Sequence, residues 1–155
     1  MVCSKTNLFR ALTGKEEEAV TLLDNRNVFD PDFEPNNSVL VVCDHASSDL
    51  KFMKPKEKEE GILRTNESHD RGVADFASAL SERIECMAIL ANFSRLVIDP
   101  SVPICNSEII RNHYLEEDLP VSINIDGYRL WERLSDFYLE YQKILREAMI
   151  FLDVP

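Results

Sequence analysis

His45 is the residue of this sequence with the plainest chemical use. It closes an aliphatic run, Val39-Leu40-Val41-Val42-Cys43, and directly follows Asp44. Such a run reads as a strand buried on both faces, as in parallel sheets. Open α/β sheets place their ligands beyond the carboxyl ends of the strands. A neutral imidazole at that position is a good zinc ligand. The competing reading is a histidine hydrogen-bonded in a turn. Asp44 could orient the ring, although neighbours on a strand point to opposite faces.

Two more groups have suitable types and spacing. His69-Asp70, with Glu67 close by, offers a nitrogen and two carboxylates. Asp70 also reads as the N-cap of a following helix, because Asp is favoured there. Arg95 and Asp99 form the third group. An arginine fork can grip a substrate carboxylate through paired hydrogen bonds, or the two residues can form a structural ion pair. His113 stands alone in a polar stretch and reads as a surface residue.

Periodicity suggests the elements that position these groups. Val39–Cys43 is expected as a central strand, with Asp44, His45, Asp70 and Arg95 clustered at one edge of the sheet. Apolar residues at Val73, Phe76, Ala77, Leu80 and Ile84 have helical spacing. Met87 to Phe93 reads as a second strand and Leu96 to Ile98 as a third, so the region forms a βαβ unit with a right-handed crossover. Upstream, Thr13-Gly14-Lys15-Glu16 has capping-box spacing, and a helix is expected from Gly14 to Asp24. Asp30 to Asn37 is a loop rich in breakers, and Lys54 to Glu60 a charged surface loop or single turn. Cys105 to Asp126 reads as irregular, with a short helix at Ser107 to Asn112. Tyr128, Trp131, Leu134, Tyr138, Tyr141, Leu145 and Met149 would line the buried face of a long helix. Phe151 to Pro155 could begin another strand.

At 155 residues the chain suits one domain. Its apolar content of 45% and charged content of 29% are ordinary globular values. The net charge of −11 argues against nucleic acid and against an anionic membrane, which are met with basic patches. No segment approaches the about 18 apolar residues of a membrane span, and Met1 to Lys5 lacks a signal-peptide core. The four cysteines show no Cys-x-x-Cys spacing, so free thiols and a cytoplasmic location are expected.

Four segments resemble the N-formylglutamate amidohydrolase family, in that family's order. They are Val39 to Ser48 (VLVVCDHASS), His69-Asp70-Arg71-Gly72 running into Val73-Ala74, Asn92 to Asp99 (NFSRLVID), and Phe137-Tyr138-Leu139-Glu140-Tyr141. The likeness covers Val39 to Met149. It implies a three-layer α/β/α, hydrolase-like fold of the zinc-exopeptidase kind. Residues 1–38 would then be a helix-and-loop extension, and 39–155 the N-terminal part of the domain.

In that family a zinc ion held by histidine and carboxylate ligands activates water for attack on an amide carbonyl, a glutamate acts as base, and arginines hold the substrate's carboxylates. The resemblance implies His45 and Asp70 as metal ligands. It implies Arg95, Asp99 and Ser47 as substrate-binding residues, with Asp44, His69 and Glu67 as additional candidates. The substrate would be a small anionic N-formyl or N-acyl amino acid. Departures are present. Ser101 and Val102 stand where the family has Asn and Arg, Gln142 where it has His, and His69 where it usually has Trp. The third ligand and the base belong to the family's second half. The alternative is therefore a truncated, non-catalytic relative serving as a binding or interaction module. In such a chain part of the first strand's face and the stripe at Trp131, Leu134 and Tyr138 would lose their cover, so it is expected to self-associate, to bind a partner or to be poorly soluble.

Overall fold

A computed structural model describes residues 19–24, 39–51, 53, 60–111, 113–114, 117–118 and 125–152. The fold is mixed α/β. Its sheet contains β1 (Val20–Asp24), β2 (Leu40–Cys43) and β3 (Met87–Ala91), in the order β1-β3-β2. β3 lies antiparallel to β1, from Val20 opposite Ala91 to Asp24 opposite Met87, and parallel to β2, from Leu40 opposite Met87 to Cys43 opposite Leu90. Helix α1 (Val73–Arg83) connects the parallel pair. Two short strands, β4 (His113–Tyr114) and β5 (Glu117–Asp118), pair separately.

β3 is apolar at every position because it is buried on both faces. Met87, Ile89 and Ala91 pack into one core with Phe93, Phe137, Tyr141, Ile144 and Ala148. Ala88 and Leu90 join Cys43 and Ala77 of α1 in a second core. The period of two along the strand divides the two cores, so helices cover opposite faces of the sheet. Burying a side chain the size of Ile89 contributes about 1.5–3 kcal/mol.

Helix α1 starts at Gly72, whose φ of 79° lies where a glycine meets no Cβ penalty. Asp70 does not cap this helix with its side chain. Only its carbonyl accepts from Val73 N, at 3.2 Å, which leaves the carboxylate for other partners.

The C-terminal helical run comprises α2 (Gly127–Glu132), a π-helical segment (Arg133–Leu139) and α3 (Glu140–Phe151). The Asp126 carboxylate caps it, accepting from Arg129 N at 2.8 Å. Buried residues fall at 133, 137 and 138 in the π segment, at 141, 144 and 148 on α3, and at 152 at its C-cap. Among the described residues no helix is long and apolar enough to cross a membrane.

Several expectations are corrected. β2 is an edge strand of the described sheet, and β3 is the central one. Val42 is 41% exposed, so β2 is not buried on both faces. Val20–Asp24 is a strand because it pairs with β3, although the capping-box spacing upstream suggests a helix. Leu96–Ile98 is buried but is a turn, with Val97 N bonded to Ser94 O at 2.8 Å. The Ser107 helix is a 3₁₀ turn over Ser107–Ile109. Phe151 ends a helix and starts no strand. The aromatic stripe also fails at its start. Trp131 is 60% and Tyr128 68% exposed, because the π segment rotates them off the buried face; Tyr138 and Tyr141 are buried as expected. Residues 14–18, 30–37, 54–59 and 153–155 lie outside the described residues.

The edge position of Val42 has a measurable consequence. Val42→Thr is expected to change unfolding free energy by no more than about 0.5 kcal/mol. A loss of several kcal/mol in urea titration would mean that something covers this edge.

Candidate functional site

The segments that the sequence marks out converge beyond the carboxyl ends of β2 and β3, and backbone bonds lace them together. Asp70 N donates to His45 O at 2.9 Å, Ser94 N to Asp49 O at 2.8 Å, and Arg95 N to Ser68 O at 3.2 Å. The buried Ser94 hydroxyl adds a bond to Ser68 O at 2.7 Å. Asp99 N is held by Ile109 O at 2.8 Å. Each chemically useful side chain thus stands on a segment whose main chain is tied to its neighbour's.

His45 is the hub. Its Nε2 lies 2.8 Å from Asp99 Oδ1, and its Nδ1 lies 3.5 Å from Asp70 Oδ2. The Asp99 side chain is only 2% exposed. Burial opposes its ionisation, but hydrogen bonds from His45 and Ser101 outweigh that and hold the carboxyl down at about 2. An ionised acceptor assigns the proton to Nε2 and leaves the Nδ1 lone pair facing Asp70. The Ser101 hydroxyl donates to the same Asp99 oxygen at 2.6 Å.

Asp70 is half-exposed, so the Nδ1 side of the ring is the open side. Arg95, largely buried, donates to Asp70 Oδ1. That is the fork's partner here; the alternative Arg95–Asp99 pair is not formed, because Asp99 is occupied by His45. Arg111 bridges the outer edge, with NH1 at 2.8 Å from Glu67 Oε2 and NH2 at 3.8 Å from Asp99 Oδ2. Glu67 therefore joins the cluster through Arg111.

The other candidates lie outside it. The Asp44 carboxylate accepts from the Tyr141 hydroxyl on the core side. Burial and that carboxylate push the phenol far up, so it remains a donor. His69 Nδ1 bonds to the Ser68 hydroxyl at 2.8 Å and takes no part in the His45 contacts. The Ser47 hydroxyl accepts from Asp49 N at 3.1 Å, shaping the turn after β2. Burial raises the Cys43 thiol, which makes it a core group and no nucleophile. Arg111 is the site residue that sequence reasoning missed. Its only signal is a lone basic residue directly after the apolar pair Ile109-Ile110, and burial of that pair brings it in.

The zinc that the resemblance implies can be tested against these atoms. Two ligands at zinc bonding distances in tetrahedral geometry stand about 3.4 Å apart, and Nδ1 and Oδ2 are 3.5 Å apart. A ligating histidine usually donates its other ring N–H to a carboxylate, and a ligating carboxylate is itself hydrogen-bonded. Asp99 and Arg95 supply those partners. His45 and Asp70 thus fit as two ligands. Among the described residues no set of three His, Cys, Asp or Glu could hold a metal ion.

No family model matches this sequence, and no curated protein does. The fold is similar to the crystal structure of gene product Atu2144 from Agrobacterium tumefaciens, with a TM-score of 0.71 at 22% identity. The match covers 94% of this chain and 55% of that one, so the chain spans about half its length. At that identity the likeness shows the fold alone.

Proposed function

We propose that the chain is an N-formylglutamate amidohydrolase-like protein built on part of a three-layer α/β/α, hydrolase-like fold, and that it acts on the amide C–N bond of an N-formyl or N-acyl amino acid. The observation that carries this reading is the His45 ring, tied to buried Asp99 at Nε2 and open toward Asp70 at Nδ1. His45 and Asp70 would hold a divalent cation such as zinc. Bound there, zinc supplies a Lewis acid that polarises a carbonyl and acidifies water. Asp99 fixes the imidazole tautomer and Arg95 aims Asp70, while Arg111, paired with Glu67 and near Asp99, borders the site; a bound divalent cation would supply the positive charge that an anionic substrate needs. The free thiols of Cys43, Cys86 and Cys105 support a reducing compartment such as the cytoplasm.

One observation favours a second reading, that of a non-catalytic binding module. Only two ligands of a possible metal site stand together among the described residues, whereas a catalytic zinc takes three protein ligands and one open position.

Calorimetric titration of zinc into wild type, His45→Ala and Asp70→Asn tests the site. Weak binding by wild type is expected, with each variant at least about tenfold weaker. Equal binding by all three would remove this pair from consideration. Hydrolysis of N-formylglutamate with zinc present separates the readings. Turnover that His45→Ala abolishes supports the enzyme, and binding without turnover by this chain supports the module.

A further inference from the structure

The C-terminal helical run contains a seven-residue π segment, Arg133–Leu139, where an uninterrupted α-helix would be expected. π segments are rare and cost hydrogen-bond geometry, and they frequently accompany functional sites. What this one accomplishes can be read from its donors. Arg133 NH1 donates to Val97 O at 3.0 Å, Tyr138 OH to Val102 O at 3.1 Å, and Gln142 Nε2 to Pro100 O at 2.9 Å. All three acceptors are carbonyls of one short turn, and Asp99 lies in the middle of it.

The spacing explains the π geometry. Residues 133 and 138 are five apart. On an α-helix, at 3.6 residues per turn, they would diverge by about 140°. In a π segment the backbone bond runs from i to i+5, so residues five apart share a face much as residues four apart do on an α-helix. Tyr138 and Gln142, four apart, share a face by ordinary helical geometry. The wide turn therefore brings Arg133 onto the same face as Tyr138 and Gln142. The turn they hold is one whose Asp99 carboxylate engages the His45 ring.

We infer that Arg133, Tyr138 and Gln142 are positioning residues: they clamp the 97–102 turn from behind, so that Asp99 keeps His45 in the Nε2–H tautomer with Nδ1 directed toward Asp70. This inference rests on the reading of Nδ1 as the binding atom. The clamp itself can be observed without any metal. Loss of the clamp lets the turn shift, the Asp99–Nε2 bond lengthens, and the ring loses its fixed tautomer. Gln142 stands on α3, away from the ring, and touches it only through this turn.

The test is two-bond 1H–15N correlation of the His45 ring in wild type, in Tyr138→Phe with Gln142→Leu, and in Gln142→His, together with zinc titration of each. Thermal melts establish that each variant is folded. Wild type should show the Nε2–H pattern. The double variant should show a tautomer mixture and about tenfold weaker zinc binding, the lower end of what loss of a supporting contact costs. Gln142→His, which offers an N–H of similar reach, should restore the wild-type pattern. Where the double variant does not fold, Gln142→Leu alone, at a half-buried position, takes its place. A folded variant with an unchanged ring signal would overturn the clamp. If wild type binds no zinc while the ring signal responds as described, the metal reading fails and the clamp stands.

Discussion

Tyr141→Ala is expected to lower the unfolding free energy by about 3–5 kcal/mol, the range for removing a large buried aromatic. Tyr141 is fully buried, and its ring meets Phe93 edge-on at a centroid distance of 6.2 Å. Tyr141→Phe keeps that packing and removes only the hydroxyl, leaving the Asp44 carboxylate without this donor. Hydrogen bonds to charged groups contribute about 1.5–3 kcal/mol, so the phenylalanine variant should recover part of the loss and no more. Urea denaturation of the three proteins checks this. A phenylalanine variant as stable as wild type would mean that Asp44 finds another donor and that the bond does not tie α3 to the end of β2.

The second large effect concerns acid. The Asp99 carboxyl is held at about 2 against an ordinary value of 3.8. Between those values the unfolded chain binds a proton that the folded protein does not. The folded state therefore gains stability from Asp99 at pH above about 4, and loses it as pH falls through about 2. The difference corresponds to about 2 kcal/mol, because one pKa unit is worth about 1.4 kcal/mol. In urea titrations from pH 7 to pH 2, wild type should lose about 2 kcal/mol more than Asp99→Asn. Parallel curves for the two proteins would show that Asp99 is not held down by His45 and Ser101.

The parts of this fold legible in the sequence are those where one local rule acts alone. Helix α1 has apolar residues at helical spacing against one face of the sheet, and β3 is an uninterrupted apolar run. Asp44-His45 were recognisable because a strand must end where polar residues start. Elsewhere a tertiary contact overrides the local pattern. Val20-Thr21-Leu22-Leu23 suits a strand as well as a helix turn, and pairing with β3 decides it. Leu96-Val97-Ile98 carries a strand's composition, but its backbone turns back on Ser94 and its apolar side chains remain buried without a ladder. The α-helical stripe from Tyr128 misses because a period of 3.6 cannot anticipate a π segment. At the site the individual residues were legible and their partners were not. Which carboxylate meets Arg95 depends on how three loops are tied, and neither spacing nor composition encodes that.

The strand order also has a consequence for synthesis on the ribosome. Among the described residues β1 and β2 are not paired with each other, and each finds its ladder partner in β3. The central strand is therefore the last of the three to be translated. At about 5–20 residues per second, the segment from Val20 to Met87 takes several seconds to emerge. Once Leu40–Cys43 is out, two apolar strands wait with open backbones. Ladder formation must then close two long loops, each back to a strand made earlier, which is the slow, non-local kind of pairing. A nascent chain whose Met87–Ala91 segment has not yet emerged would hold neither half of this sheet, whereas one exposed through Ala91 would have all three strands available to pair.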